Sequence, residues 1–267
     1  MTSGVSRRIN AERLVLLGWS RAILLQFAHP LIAAGVYEHS AFRESPAVAI
    51  SRLHHTVRSM LSLAFGDEAS QARTIDTICT IHRRVHGQLP AAVGPFPAGT
   101  PYSAEDPDLL LWVHATLMES VPMVFERLVE PLSEAEYDRY CQEAAPVAVA
   151  LGARSEDVPR TRRDLREYID ARYRSGQIVV GPTARELAHA VMRPRGRLLV
   201  APAARINDLL TVGLLPEALR RQYGFPWSAR HERALALAVR GIRHARRWTP
   251  DVLALWKDAR RRQTAVP

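Results

Sequence analysis

Asp106-Pro107-Asp108-Leu109-Leu110-Leu111-Trp112-Val113-His114-Ala115-Thr116-Leu117-Met118 decides the fold class. Aspartate caps helices because its carboxylate accepts from the free amides of the first turn. Proline suits the first helical position, where its missing N–H would be unpaired anyway. The apolar run that follows predicts a helix from Pro107 to about Val129, kinked at Pro122.

The same signals recur on both sides. Downstream, Ser133-Glu134-Ala135-Glu136 is a capping box that opens a helix to about Leu151. Further helices are expected over Thr161–Arg174, from the capping box Thr183-Ala184-Arg185-Glu186, over Ser228–Arg246 and over Pro250–Thr264. Upstream, Asn10 is a candidate cap for a helix from Ala11, which Pro30 ends or kinks. Leu31–Tyr37 continues apolar. Pro46 opens a helix that Gly66-Asp67 closes near Phe65, and Ser70 is a candidate cap for one reaching Val85 or His86. Gln88–Thr100, with Pro90, Gly94, Pro95, Pro97 and Gly99, reads as a loop. Strand-like runs, Ile178-Val179-Val180 and Leu198-Leu199-Val200, are short. The expectation is an all-α fold of eight to ten helices around one core, one domain over residues 1–267.

Composition bounds the function. The 267 residues are 47% hydrophobic and 24% charged, an ordinary globular balance. The net charge of +9 suits nucleic acid or an anionic membrane surface. No nucleic-acid motif accompanies it, and arginine is spread along the chain, so a nucleic-acid role is not expected. Cys79 and Cys141 belong to no CxxC or CxxCH pattern, which argues against covalent haem, zinc knuckles and iron–sulfur clusters. The apolar stretch Ala22–Val36 contains Gln26, His29 and Pro30 and is too short to span a bilayer. The expected protein is soluble, cytoplasmic and without a membrane span.

Histidines beside apolar residues are the candidate chemistry. His82 and His86, in Ile81-His82-Arg83-Arg84-Val85-His86-Gly87, stand four apart, a spacing that puts two imidazoles on one helix face. The glutamate of the zinc-protease pattern is missing, and a polar helix end explains the pair equally well. Arg52, His55 and Thr56 can likewise share a face. His114 has Leu110, Leu111, Leu117 and Met118 at helical spacing, as an ordinary core histidine would. His29, before Pro30, is held away from regular helix.

The order of these pieces resembles the MpaB-type oxygenase family, which is related to the latex-clearing rubber oxygenases. The resemblance rests on Leu25-Gln26-Phe27-Ala28-His29-Pro30, Gly35-Val36-Tyr37-Glu38-His39-Ser40-Ala41-Phe42, Arg52-Leu53-His54-His55-Thr56 and Phe65-Gly66. It continues through Arg83-Arg84-Val85-His86-Gly87, Pro101-Tyr102-Ser103-Ala104 and the segment from Asp106 to Thr116, and spans roughly residues 10–245. It implies an all-helical fold holding haem b without covalent attachment. Arg83-Arg84-Val85-His86 matches the arginine-rich turn before the family's proximal histidine, so the resemblance implies His86 as the iron ligand, with His82 in reserve. Arg52 and Thr56 match the distal arginine and threonine, and Glu38 a distal carboxylate able to act as a base. His55 is a distal acid–base group or sixth ligand, and His114 and His29 are further cofactor-lining candidates. The implied partners are dioxygen, a small lipophilic or isoprenoid-like substrate and an electron donor. Two alternatives stay open: a helical haem- or ligand-binding protein without turnover, and a non-haem metal enzyme using His82, His86 and His114.

Overall fold

A computed structural model describes residues 4–40, 46–192 and 201–263. The helices are α1 (Val5–Ala11), α2 (Leu16–Phe27), α3 (Pro30–His39), α4 (Pro46–Phe65), α5 (Glu68–His82), α6 (Pro107–Leu128), α7 (Glu134–Ala150), α8 (Arg162–Arg174) and α9 (Pro182–Met192). They continue with α10 (Ala201–Gly213), α11 (Glu217–Tyr223), α12 (Ala229–Trp248), α13 (Asp251–Ala254) and α14 (Lys257–Gln263). A two-stranded antiparallel ribbon, β1 (His86–Gln88) and β2 (Pro101–Ser103), interrupts them. The fold is all-α.

Helix α6 forms as its sequence predicts. The Asp106 carboxylate accepts from the Asp108 amide, and Pro107 occupies the first turn. Trp112, Ala115, Val121 and Phe125 are fully buried in the main core, and the Trp112 indole N–H donates to the Leu25 carbonyl of α2. α6 is long and apolar enough to cross a membrane, but most of it is buried inside the protein, as befits a core helix. Around it, α7 and α8 begin with complete capping boxes at Ser133/Glu136 and Thr161/Asp164.

The buried Arg21 guanidinium ties α2 to this frame. It donates to the Leu214 carbonyl, to Glu119 Oε2 and to Ser120 Oγ. Gly18 allows the close approach, since a Cβ there would stand 2.7 Å from the Ser120 carbonyl oxygen.

Several boundaries differ from expectation. Asn10 lies inside α1, its amide donating back to Ser6 O, and the chain breaks at Glu12. The reason is tertiary: the buried Glu12 carboxylate grips Arg246 of α12 through both oxygens. Asp67, not Ser70, caps α5 by accepting from the Ser70 amide. Among the described residues, Ile178-Val179-Val180 finds no partner strand. The Val179 amide donates to Ala28 O and the Val180 amide to the Gln222 side chain. Leu198-Leu199-Val200 lies outside the described residues. Among the described residues the helix count exceeds the eight to ten expected, because breaks at Glu12 and Leu255 add short elements and because α10 and α11 carried no expected boundary.

Candidate functional site

The chain turns sharply at His29. The residue before a proline avoids helical backbone, and His29 adopts φ −89°, ψ 116° with Pro30 opening α3. The segments on either side are bent by 106°. His29 is 3% exposed, packs on the Phe96 ring at 5.3 Å, and has no partner for its buried Nδ1 among the described residues. Burial, helped by the positive charge of Arg172 and opposed by Asp108, lowers its pKa to about 4.

The same turn aims α3 at the ribbon, so that Glu38 and His39, in the last turn of α3, meet β1 and β2. The Tyr102 hydroxyl donates a short hydrogen bond to Glu38 Oε2. The His39 Nε2–H donates to the His86 carbonyl at 3.2 Å and lies 3.5 Å from the Tyr102 oxygen. Gly87 faces Tyr102 across the ribbon. A Cβ on Gly87 would stand 2.5 Å from the Tyr102 oxygen and 3.2 Å from Glu38 Oε2, so this convergence requires glycine. The ring of Tyr102 is buried in a small apolar cluster with Leu31, Ala34, Leu89 and Leu109. Burial, followed by the bond to Glu38 and its charge, pushes the phenol well above its usual pKa, so it remains a donor at neutral pH.

His82 and His86 do not share a helix face. α5 ends at His82, a tight turn over Arg83–Val85 follows, and His86 starts β1 by pairing with Ser103. Ribbon pairing overrides the i, i+4 pattern. The two environments differ accordingly. His86 is exposed, whereas His82 is half-buried with an unpartnered, buried Nδ1. Burial lowers the His82 pKa, opposed by Glu105, so its ring is neutral at pH 7.

His114 lies mid-way along α6 with a buried, unpartnered Nε2, and burial lowers its pKa to about 4. His55 and Thr56 are exposed on α4, and the His55 ring meets the His54 ring edge-on. Arg52 lies in α4, but its side chain is outside the described residues. The structure therefore brings together Glu38, His39, Tyr102 and the backbone of His86–Gly87. Among the described residues, no three His, Cys, Asp or Glu side chains converge as a metal-holding group. That includes the trio His82, His86 and His114. Two clefts, of about 270 and 380 Å³, are lined by none of the predicted site residues.

Tyr102 and His39 stand in the quoted motifs but carried no predicted role. The signal for Tyr102 was its place opposite Gly87 across a proline- and glycine-rich loop. A pairing register settles that, and periodicity does not.

The sequence model of the family described as ER-bound oxygenase mpaB/B'/Rubber oxygenase, catalytic domain, matches residues 6–244. The chain belongs to this family. No curated protein and no solved structure matches it. Membership in the MpaB/rubber oxygenase family makes the chain an oxidoreductase in general terms, acting with oxygen on a substrate. The match takes in every one of the predicted site residues.

Proposed function

We propose that this MpaB/rubber oxygenase family member is a haem b-dependent oxygenase acting on a small lipophilic or isoprenoid-like substrate in the cytoplasm, as one domain over residues 1–267. The observation that carries the reading is the half-buried His82 imidazole, whose buried Nδ1 has no partner among the described residues. A buried nitrogen without a partner costs roughly 1–3 kcal/mol, and a neutral imidazole is what iron requires. We therefore put His82, the reserve ligand of the sequence reading, ahead of His86, whose ring is exposed. His29 and His114 carry two further buried nitrogens with no partner among the described residues.

Bound haem supplies the dioxygen and one-electron chemistry. The protein supplies position and protons. Tyr102 holds Glu38 Oε2, which fixes the carboxylate plane and leaves Oε1 as the atom able to take up a proton. His39, anchored on the His86 carbonyl, closes the other side of the Tyr102 hydroxyl. The apolar cluster beneath Tyr102 keeps water from that face. Arg52 and Thr56 remain proposed distal groups, and His55 a distal acid–base group.

The test is a visible spectrum with a pyridine haemochrome assay after haem is supplied. A stoichiometric b-type Soret band that His82→Ala abolishes and His86→Ala spares supports the assignment. The reverse pattern moves the ligand to His86, and no Soret band in the parent removes the haem reading. Oxygen uptake that depends on an added isoprenoid separates an oxygenase from a haem carrier without turnover.

A further inference from the structure

The excess of positive charge has no part in the haem reading, and the structure concentrates some of it on one face. α12 packs inward through Leu235, Val239 and Ile242, which join the cluster around Val124, Leu128 and Leu210. The opposite face points to solvent. Leu237, Gly241, His244 and Trp248 follow one another at i, i+4, i+7 and i+11, which places them on one stripe. All four are exposed, and a Cβ on Gly241 would meet nothing within 4 Å.

This stripe carries apolar groups that proteins normally hide. Trp248 is 78% exposed and Leu237 67%. Just past the helix end, Val252 and Leu253 of α13 are 52% and 63% exposed. Of the seven large hydrophobics exposed among the described residues, these four fall within seventeen positions of one another. Scattered exposed apolar residues mean little, but four on one helix and the short helix that follows it mark a candidate contact surface.

The flanks are basic. Arg230, Arg233, Arg240 and Arg247 lie on or beside the stripe, and Lys257 follows; all are exposed. Two of the carboxylates nearby are engaged, and a third, Asp258, is exposed beside Lys257. Glu232 accepts from the Trp227 indole and pairs with Arg220. Asp251 pairs with Arg246, which also holds Glu12. The face therefore presents tryptophan and aliphatic side chains among a majority of basic groups, five exposed Arg and Lys side chains against the exposed Asp258 and the Arg246-paired Asp251.

We propose that the α12–α13 face docks on the surface of an anionic lipid bilayer. Trp248, Val252 and Leu253 would enter the headgroup boundary while the arginines meet lipid phosphates. Tryptophan suits that boundary because its ring is apolar and its N–H polar, and arginine stems lie along apolar surface while their guanidinium groups stay wet. Charge complementarity favours lipid over a second copy of the chain, because two such faces would bring like charges together. The contact is peripheral and does not depend on haem.

Vesicle co-sedimentation tests it, on the full chain without added haem. Expected is binding to vesicles of phosphatidylcholine with phosphatidylglycerol, little binding to phosphatidylcholine alone, and weakening as salt rises. Trp248→Ser with Leu253→Ser should lower the partition coefficient tenfold or more. Arg240→Glu should lower it more than about fivefold, the scale of one lost basic contact. Val149→Ser, an exposed apolar residue on α7, should change nothing. Near-ultraviolet circular dichroism checks that each variant is folded. No binding to anionic vesicles, or binding that survives the Trp248/Leu253 variant, overturns the proposal. A dimer in sedimentation equilibrium that Trp248→Ser dissociates also overturns it and assigns the face to self-association.

Discussion

Gly87→Ala probes the site where it is most tightly built. The added Cβ would stand 2.5 Å from the Tyr102 oxygen, 2.8 Å from its Cζ and 3.2 Å from Glu38 Oε2. The ring cannot withdraw freely, because Leu31, Ala34, Leu89 and Leu109 enclose it. Overpacking of this kind costs about 1–3 kcal/mol, while alanine in an extended strand regains about 0.5 kcal/mol through the unfolded chain. A net loss of about 1.5 kcal/mol lowers the melting temperature of a chain this size by roughly 3–6 °C. Tyr102→Phe alone should cost about 1 kcal/mol, because the exposed Glu38 carboxylate finds water in place of the phenol. The two changes should not add. Removing the hydroxyl deletes the closest contact of the new methyl, so the double variant should be about 1 kcal/mol more stable than the sum of the singles predicts. Chemical denaturation of the four proteins measures this. Additivity within about 0.5 kcal/mol, or an unchanged melting temperature in Gly87→Ala, would refute the packing argument.

Other perturbations follow from the same structure. His29 and His114 have folded pKa values lowered to about 4 from an ordinary 6.5, so the unfolded chain binds more protons between those values. Stability should be full above pH 6.5 and fall as pH drops towards 4, by on the order of 3 kcal/mol for each histidine. Urea midpoints across that range measure the slope, which His29→Asn should flatten, and a pH-independent midpoint would contradict the burial argument. Arg21→Met should cost about 3–5 kcal/mol, because it strands the Glu119 carboxylate, Ser120 Oγ and the Leu214 carbonyl. A loss under 1 kcal/mol in thermal unfolding would mean that those acceptors find other donors. Arg246→Ala should loosen α12 by leaving the buried Glu12 unpaired, seen as faster amide exchange in α12 than in α6. Equal protection in both helices would count against that tie.

The helices were legible wherever capping chemistry and periodicity agreed. Asp106-Pro107, Ser133/Glu136 and Thr161 each mark an observed helix start. Sequence reasoning failed where a distant partner outweighed the local pattern. Nothing near Asn10 says that Glu12 will reach Arg246, more than two hundred residues away, and break the helix there. Nothing in His82-Arg83-Arg84-Val85-His86 says that β2 will capture His86 and turn a helical spacing into a helix end and a strand. Local signals fix where a helix can begin, and tertiary contacts decide where it must stop.

The candidate site divides in the same way. Residue types and their order were enough for the family, because an ordered set of weak motifs is specific where each alone is not. Side-chain environment was not legible. His29, His82 and His114 were candidates by residue type and family order alone, and only the fold shows that each buries a ring nitrogen with no partner among the described residues. That distribution bears on what binds. A single ion would need its ligands gathered around one point, and among the described residues these three are not. They stand on the α2–α3 turn, at the end of α5 and in the middle of α6. A flat group of haem size can be ligated by one of them and touched by others, which a bare ion cannot. If His82→Ala abolishes haem binding while His29→Asn and His114→Asn only weaken it, the three nitrogens serve one large ligand. Undiminished binding in both asparagine variants would reduce His29 and His114 to core residues.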